Sequence, residues 1–287
     1  MHPSLPFLQV DVFTDRAFLG NPVAVVLGAD ALDAPTMQRI ARWTHLSETT
    51  FVLRPDVPGA DYALRIFTPE RELPFAGHPT LGSARAVLDS GVTTPRDGRL
   101  VQQCAAGLVT VHVEPGGTRL AFEVPPARAE PVGEDDAAAI ARALRLDGPV
   151  PRFESFDVGP VWLTAELAEA PVLRALRPDF DALDAISRRL GATGVTVHAR
   201  VGAPDAGPCV AVRSFAPAAG APEDPVCGSG NACVALQRRA RGLREPYVAS
   251  QGEALGRAGR IAIRYVGDAI EVGGETVVCI EGRLRVA

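Results

Sequence analysis

The chain has 287 residues, 47% of them hydrophobic and 22% charged, with a formal net charge of −5 and a pI near 5.6. That length exceeds the usual single domain and predicts two, while the slight acidity gives no reason to expect nucleic acid or an anionic membrane as partner. All 29 basic residues are arginine, which removes a pyridoxal-phosphate Schiff base and a P-loop, since both need lysine.

Three further features place the protein. No apolar run approaches the roughly 20 residues that span a bilayer. The opening Met-His-Pro-Ser-Leu-Pro lacks the basic and apolar regions of a signal peptide. Cys104, Cys209, Cys227, Cys233 and Cys279 form no Cys-x-x-Cys and no metal spacing, so a reduced cytoplasm and no metal site are expected.

In chain order, Leu8 to Phe13 alternates like a strand, and Pro22 to Leu27 is a short apolar run suited to a buried one. Residues 15–21, with Gly20-Asn21-Pro22, form the loop between them. Thr36 to Thr44 predicts a helix with Met37, Ile40, Ala41 and Trp43 as its apolar stripe. Thr49 to Leu53 and Tyr62 to Phe67 are strands rich in β-branched and aromatic residues. Pro79 to Leu88 predicts a helix with proline in its first turn, where the missing N–H is harmless. Val109 to Val113 and Leu120 to Val124 make a hairpin across Gly116-Gly117. The proline-rich stretch from Val124 to Val132 is the expected domain boundary, dividing residues 1–126 from 127–287, with the last strand, about 276–287, packing back onto the first half. Helices at Asp135 to Leu144 and Ser229 to Arg239 follow. Strands at Arg260 to Tyr265, Ala269 to Val272 and Glu275 to Glu281 finish the chain.

One half-site is written twice. Arg65-Ile66-Phe67-Thr68-Pro69 leads to Phe75-Ala76-Gly77-His78-Pro79-Thr80-Leu81-Gly82, and Arg213-Ser214-Phe215-Ala216-Pro217 leads to Asp224-Pro225-Val226-Cys227-Gly228-Ser229-Gly230-Asn231. The same spacing separates Ile40 from Ile186 and Arg54 from Arg200, and nearly the same separates Arg65 from Arg213. This pattern predicts a duplication. The fold class is α+β: two pseudo-symmetric halves, each a curled, mostly antiparallel sheet or barrel around a central helix, with the active site in the cleft between them.

The copies differ where chemistry is expected. Glu48 sits where a helix gives way to an apolar strand, a setting that raises a carboxyl pKa toward proton-transfer range; from spacing alone a surface glutamate near a helix end is the better reading. The matching position in the second copy is Gly194. Gly77, Pro79 and Thr80 in one copy, and Gly228 and Gly230 in the other, belong to Gly turns that feed helices whose N-termini suit a substrate carboxylate. His78 is a proton-transfer candidate or a cap. Asp224 is a cap or a cleft residue. Cys227 stands where a helix dipole favours thiolate, though most lone cysteines are small buried hydrophobes.

In these motifs the sequence resembles the PhzF-like family, named after a phenazine-biosynthesis isomerase, which shares the diaminopimelate epimerase fold. The resemblance runs nearly end to end, through Asp11-Val12-Phe13, Gly20-Asn21-Pro22, Leu46-Ser47-Glu48-Thr49-Thr50-Phe51, the two Gly turns, Glu223-Asp224-Pro225, Ser250-Gln251-Gly252 and Gly256-Arg257. It implies a cofactor-free isomerase, a homodimer, acting on a small anionic metabolite. Glu48 would move the proton; His78, Asp224 and Ser229 would position and protonate the substrate. Diaminopimelate epimerase uses a cysteine in each Gly turn, but here the first turn has Ala76, so two-cysteine inversion is not expected. The phenazine enzyme has threonine where this chain has Cys227, which makes Cys227 a further acid–base candidate. The rival readings are an amino-acid racemase or epimerase using Cys227, and a non-catalytic metabolite binder.

Overall fold

The computed structural model describes residues 4–125, 127–202 and 207–286. The chain divides into two compact units, Met1–Glu123 with Gly273–Ala287, and Val124–Val272. The proline-rich stretch expected as a boundary contains Pro126, which lies outside the described residues.

The first unit contains β1 (Ser4–Val12), β2 (Asn21–Leu27), α1 (Ala34–Thr44), β3 (Thr49–Leu53), β4 (Tyr62–Phe67), β5 (Glu72–Leu73), α2 (Gly77–Asp89), β6 (Arg99–Cys104), β7 (Gly107–Val113) and β8 (Arg119–Glu123). The second contains β9 (Arg128–Pro131), α3 (Glu134–Ala143), β10 (Glu154–Asp157), β11 (Val161–Glu166), α4 (Ala170–Ala175), α5 (Phe180–Arg189), β12 (Gly194–Arg200), β13 (Val210–Ala216), β14 (Ala221–Asp224), α6 (Gly228–Ala240), β15 (Tyr247–Gln251) and β16 (Gly259–Val266). Strand β17 (Ala269–Arg285) starts in the second unit and ends in the first. Among the described residues, no helix is long and apolar enough to cross a membrane.

In the first unit the ladder runs β17–β1–β2–β3–β4–β6–β7–β8 and returns to β17, an eight-strand closed barrel. Two of these neighbours, β2–β3 and β4–β6, are parallel. Helix α2 is buried on nearly every side, so it has no polar face. Its backbone sits close to the wall: a methyl group on Gly82 would lie 2.2 Å from Val23. Its polar side chains are paired inside, Ser83 donating to Thr50 at 2.8 Å and Gln102 donating to Thr80 at 3.1 Å. Such pairing matters because an unmatched buried hydroxyl costs about 1–3 kcal/mol. Outside the sheet, α1 starts at Asp33, which accepts from the Thr36 N–H at 2.9 Å, and packs Met37 and Ala41 on Val26, Phe51 and Phe67.

The second unit repeats the order: β9–β10–β11–β12–β13–β15–β16, with β11–β12 and β13–β15 parallel. Sheet register reproduces the sequence spacing. Thr49 faces Phe67, and Val195 faces Phe215. The Arg-x-Phe-x-Pro repeat also gains a physical reason. Arg65 forks onto Glu72, both bonds 2.7 Å, and lies 5.2 Å from the Phe67 ring centroid. Arg213 forks onto Glu223 at 2.9 and 2.7 Å and lies 4.9 Å from that of Phe215. Paired and stacked guanidinium groups of this kind cannot be replaced by lysine without loss.

Two expectations are corrected. Trp43 is 78% exposed rather than part of the buried stripe; two residues beyond Ala41 it points roughly 200° round the helix. Strand β17 runs unbroken through Gly273-Gly274, where the sequence pattern predicts a break between two strands. Gly273 serves close approach instead of a turn, for a Cβ there would lie 2.5 Å from the Leu120 carbonyl.

Gly194 is held as tightly: its Cβ would stand 2.0 Å from the Phe215 carbonyl oxygen. Gly194→Ala is expected to lower unfolding free energy by about 2–4 kcal/mol, read as a lower urea midpoint at unchanged slope.

Candidate active site

In the first unit, Glu48 immediately precedes β3, and its backbone carbonyl accepts from the Ala24 N–H of β2 at 3.4 Å. This pins the residue to the sheet while its side chain stays 15% exposed. His78, the second residue of α2, brings Nε2 to 3.2 Å from Glu48 Oε2. The pair lies within ion-pair distance without forming a hydrogen bond, as is common in resting sites that tighten on substrate. The other ring nitrogen, Nδ1, lies 3.3 Å from the side-chain amide nitrogen of Asn21, which is fully buried. Burial alone pushes the His78 imidazole down to about 3, so the ring is neutral at pH 7.

In the second unit, α6 opens on Cys227, whose Sγ accepts from the Gly230 N–H at 3.2 Å and so caps the helix. The thiol is 2% exposed. Burial first, and the Asp224 carboxylate second, push it well above the usual thiol range. Cys227 is therefore a protonated thiol at neutral pH, the reverse of the thiolate that the helix dipole suggests. Ser229 Oγ accepts from the Trp162 indole N–H at 2.9 Å and lies 3.5 Å from Cys227 Sγ. Asp224 accepts from the Val226 N–H at 3.1 Å. Gln251 ties this turn together: its oxygen accepts from the Cys227 N–H at 3.1 Å and from Asn231 at 2.9 Å, and its nitrogen donates to the Asp224 carbonyl at 3.0 Å.

The duplication makes the comparison direct. Glu48 and His78 in one unit occupy the positions of Gly194 and Ser229 in the other. Trp162 pairs in register with Gly194, and its N–H holds Ser229 as Glu48 approaches His78. One unit thus presents a carboxylate beside an imidazole, the other a hydroxyl beside an indole and a thiol.

Of the residues expected at the helix starts, Gly77 and His78, and Gly228 and Ser229, carry first-turn N–H groups that a helix leaves without an internal partner. Pro79 has no N–H, the Thr80 N–H bonds the Ala76 carbonyl at 3.2 Å, and the Gly230 N–H caps onto sulfur. Gly77 is demanded by Phe122, 2.6 Å from where its Cβ would lie, and Gly230 by Ser214 and Thr196, at 2.6 and 2.7 Å. Reading the sequence assigned no role to Asn21, Trp162, Asn231 or Gln251. Asn21 and Gln251 lie inside the quoted motifs, whereas Trp162 carried no signal.

Comparison with known proteins assigns the class that this fold and these half-sites suggest. The phenazine biosynthesis-like model (PhzC-PhzF) matches residues 10–282. A Schizosaccharomyces pombe protein named antisense-enhancing sequence 1 is 38% identical, over 96% of this chain and 97% of that protein. The trans-2,3-dihydro-3-hydroxyanthranilate isomerase of Pseudomonas aeruginosa is 35% identical, over 96% and 98%. Among solved structures, a PhzF-family protein of Bacillus anthracis superposes with TM-score 0.84 at 21% identity, covering 99% of this chain and all of that one. A hydroxyproline epimerase from Agrobacterium vitis shares the fold at TM-score 0.65 and 15% identity, covering 100% of this chain and 94% of that one. The chain belongs to the phenazine biosynthesis-like family.

Buried neutral imidazoles also set the acid response. His198, paired with Gln237 at 2.8 Å, is pushed by burial down to about 4. The unfolded chain takes up protons on these rings near pH 6.5, and the folded protein resists until about 4 for His198 and 3 for His78. Their contribution to stability is therefore full above pH 6.5 and is lost progressively as pH drops toward 4. Urea midpoints at pH 7, 6, 5 and 4.5 should decline, and less steeply in His198→Gln.

Proposed function

We propose that the protein is a cofactor-independent isomerase that relocates a proton on a small unsaturated carboxylate, with Glu48 as the base. The observation that carries this reading is the approach of Glu48 Oε2 to a buried, neutral His78. The substrate class is inferred from the Pseudomonas aeruginosa relative, whose name specifies an isomerisation of a hydroxylated, dihydro ring acid.

In the step proposed, the Glu48 carboxylate removes a proton from an allylic carbon. The electron pair left behind delocalises through the adjacent double bond toward an electron-withdrawing group. Glu48, now a carboxylic acid, returns the proton to the far carbon of the same conjugated system. Atoms and electrons balance, with no oxidant or reductant. The His78 Nε2–H is proposed to steady the carboxylate before transfer and to hydrogen-bond the substrate once it is bound.

The second half-site is proposed to supply groups to the same substrate. First-turn N–H groups at Gly77 and Gly228 would receive substrate oxygens, as helix N-termini do for anions. Ser229 accepts from Trp162 and so has its own hydrogen to offer. Asp224 and Cys227 stand in support, Cys227 as a thiol.

The test is deuterium wash-in from heavy water, with trans-2,3-dihydro-3-hydroxyanthranilate and a panel of small unsaturated carboxylates. Wild-type protein should label one compound class. Glu48→Gln should lose label by about 10²–10⁴-fold with its unfolding midpoint retained, whereas Cys227→Ser should stay within about tenfold of wild type. Retained exchange in Glu48→Gln would sink the reading, and loss confined to Cys227→Ser would move the chemistry to the thiol.

A further inference from the structure

A base that both takes and returns a proton must start in a defined protonation state. What sets that state is visible on the far side of the imidazole. Asn21 opens β2 and is wholly buried. Its backbone has little latitude. Gly20 before it admits no side chain, since a Cβ would lie 2.4 Å from the Val12 carbonyl oxygen, and its N–H is held by Asp11 at 3.3 Å. Pro22 after it has its own φ fixed by the ring, and Asn21 pairs in register with Val12. The side chain is thereby aimed at His78.

The contact is between the Asn21 amide nitrogen and His78 Nδ1 at 3.3 Å. An amide NH₂ group donates and cannot accept, so Nδ1 must offer its lone pair and carry no hydrogen. A neutral imidazole has one ring hydrogen, which then resides on Nε2, 3.2 Å from Glu48 Oε2. Turning the amide over would reverse the chain of consequences. Its oxygen would require the hydrogen on Nδ1, and Nε2 would face Glu48 with a lone pair. Two lone pairs at that distance repel unless Glu48 is protonated, and a protonated Glu48 cannot begin as a base. The orientation of one buried amide therefore biases Glu48 toward resting as carboxylate or as acid.

We propose that Asn21 is a positioning residue that fixes His78 as the Nε2–H tautomer and so keeps Glu48 ionised and ready to accept a proton. This rests on the reading of Glu48 as the base. It adds the direction in which the proton first moves, and it assigns work to a residue that acts through His78.

The tautomer can be measured without any substrate. Protein labelled with ¹⁵N-histidine gives two-bond nitrogen–hydrogen correlations that distinguish a protonated ring nitrogen from a bare one, and His78→Gln identifies the signals of this ring. The expected result in the wild type is a bare Nδ1 and a protonated Nε2. Asn21→Asp replaces the donor with an acceptor and should move the hydrogen to Nδ1. Asn21→Leu, close in volume but unable to donate, should leave the two forms mixed. Wash-in of deuterium should fall at least tenfold in Asn21→Asp. A wild-type ring protonated on Nδ1 would overturn the proposal at once, as would the same tautomer in wild type and both variants. Because the spectra are read on resting protein, they decide the matter even if every trial compound goes unlabelled. That second result would count against the isomerase reading alone.

Discussion

The helices that carry the candidate site are each enclosed by the strands of their own unit, and a helix without a solvent face must satisfy every polar group from within. Burying an unmatched hydroxyl or ring nitrogen costs free energy comparable to a lost hydrogen bond, and burying a charge costs more. The composition of α2 and α6 follows from this constraint. Small residues let the backbones approach the wall, while Thr80 and Ser83 are met by strand side chains, and Asn231 by Gln251. His78 is tolerated because it is neutral and its Nδ1 is matched by Asn21, while Nε2 is left facing Glu48. The same enclosure that keeps the imidazole uncharged makes it useful beside a carboxylate. The chemistry proposed for Glu48 thus arises where the barrel leaves a buried ring nitrogen facing a carboxylate.

Duplication of one scaffold has left two sites that share backbone and differ in polarity. Register, strand order and the Arg–Glu–Phe clamp repeat, which fixes equivalent positions with little ambiguity. Against that common frame, Gly194 is as informative as Glu48. The carbonyl of Phe215 occupies the space its side chain would need, so the second unit cannot host a matching carboxylate. It places an indole there instead, in register from the neighbouring strand. The pair of half-sites is asymmetric by steric necessity, since no side chain equivalent to Glu48 fits at Gly194.

Much of the fold was legible in the sequence because strand signals are local. Thr49–Leu53 and Tyr62–Phe67 were read to the residue from β-branched and aromatic runs, and the duplication followed from spacing. Glycine was the harder letter. Gly77 and Gly228 begin their helices instead of preceding them, and Gly273-Gly274 lie inside a strand, since glycine serves close packing as well as turns. Within the site, Glu48 and His78 were nameable from their motifs. Their separation was not, nor were the groups that orient them: Asn21 reaches His78 across 57 positions and Trp162 reaches Ser229 across 67. Contacts at that range follow from topology and leave no periodic trace in sequence.

Strand β17 has a consequence for how the protein comes to be made. The second unit is continuous along the chain, but the barrel of the first is closed only by the segment from Gly273 onward. A ribosome completes all of Val124–Val272 before that strand emerges. Until then β1 and β8 present open sheet edges, which invite pairing with other chains. Assembly of the half that bears Glu48 therefore waits on the other half, and the nascent chain is exposed to mispairing for as long as that wait lasts.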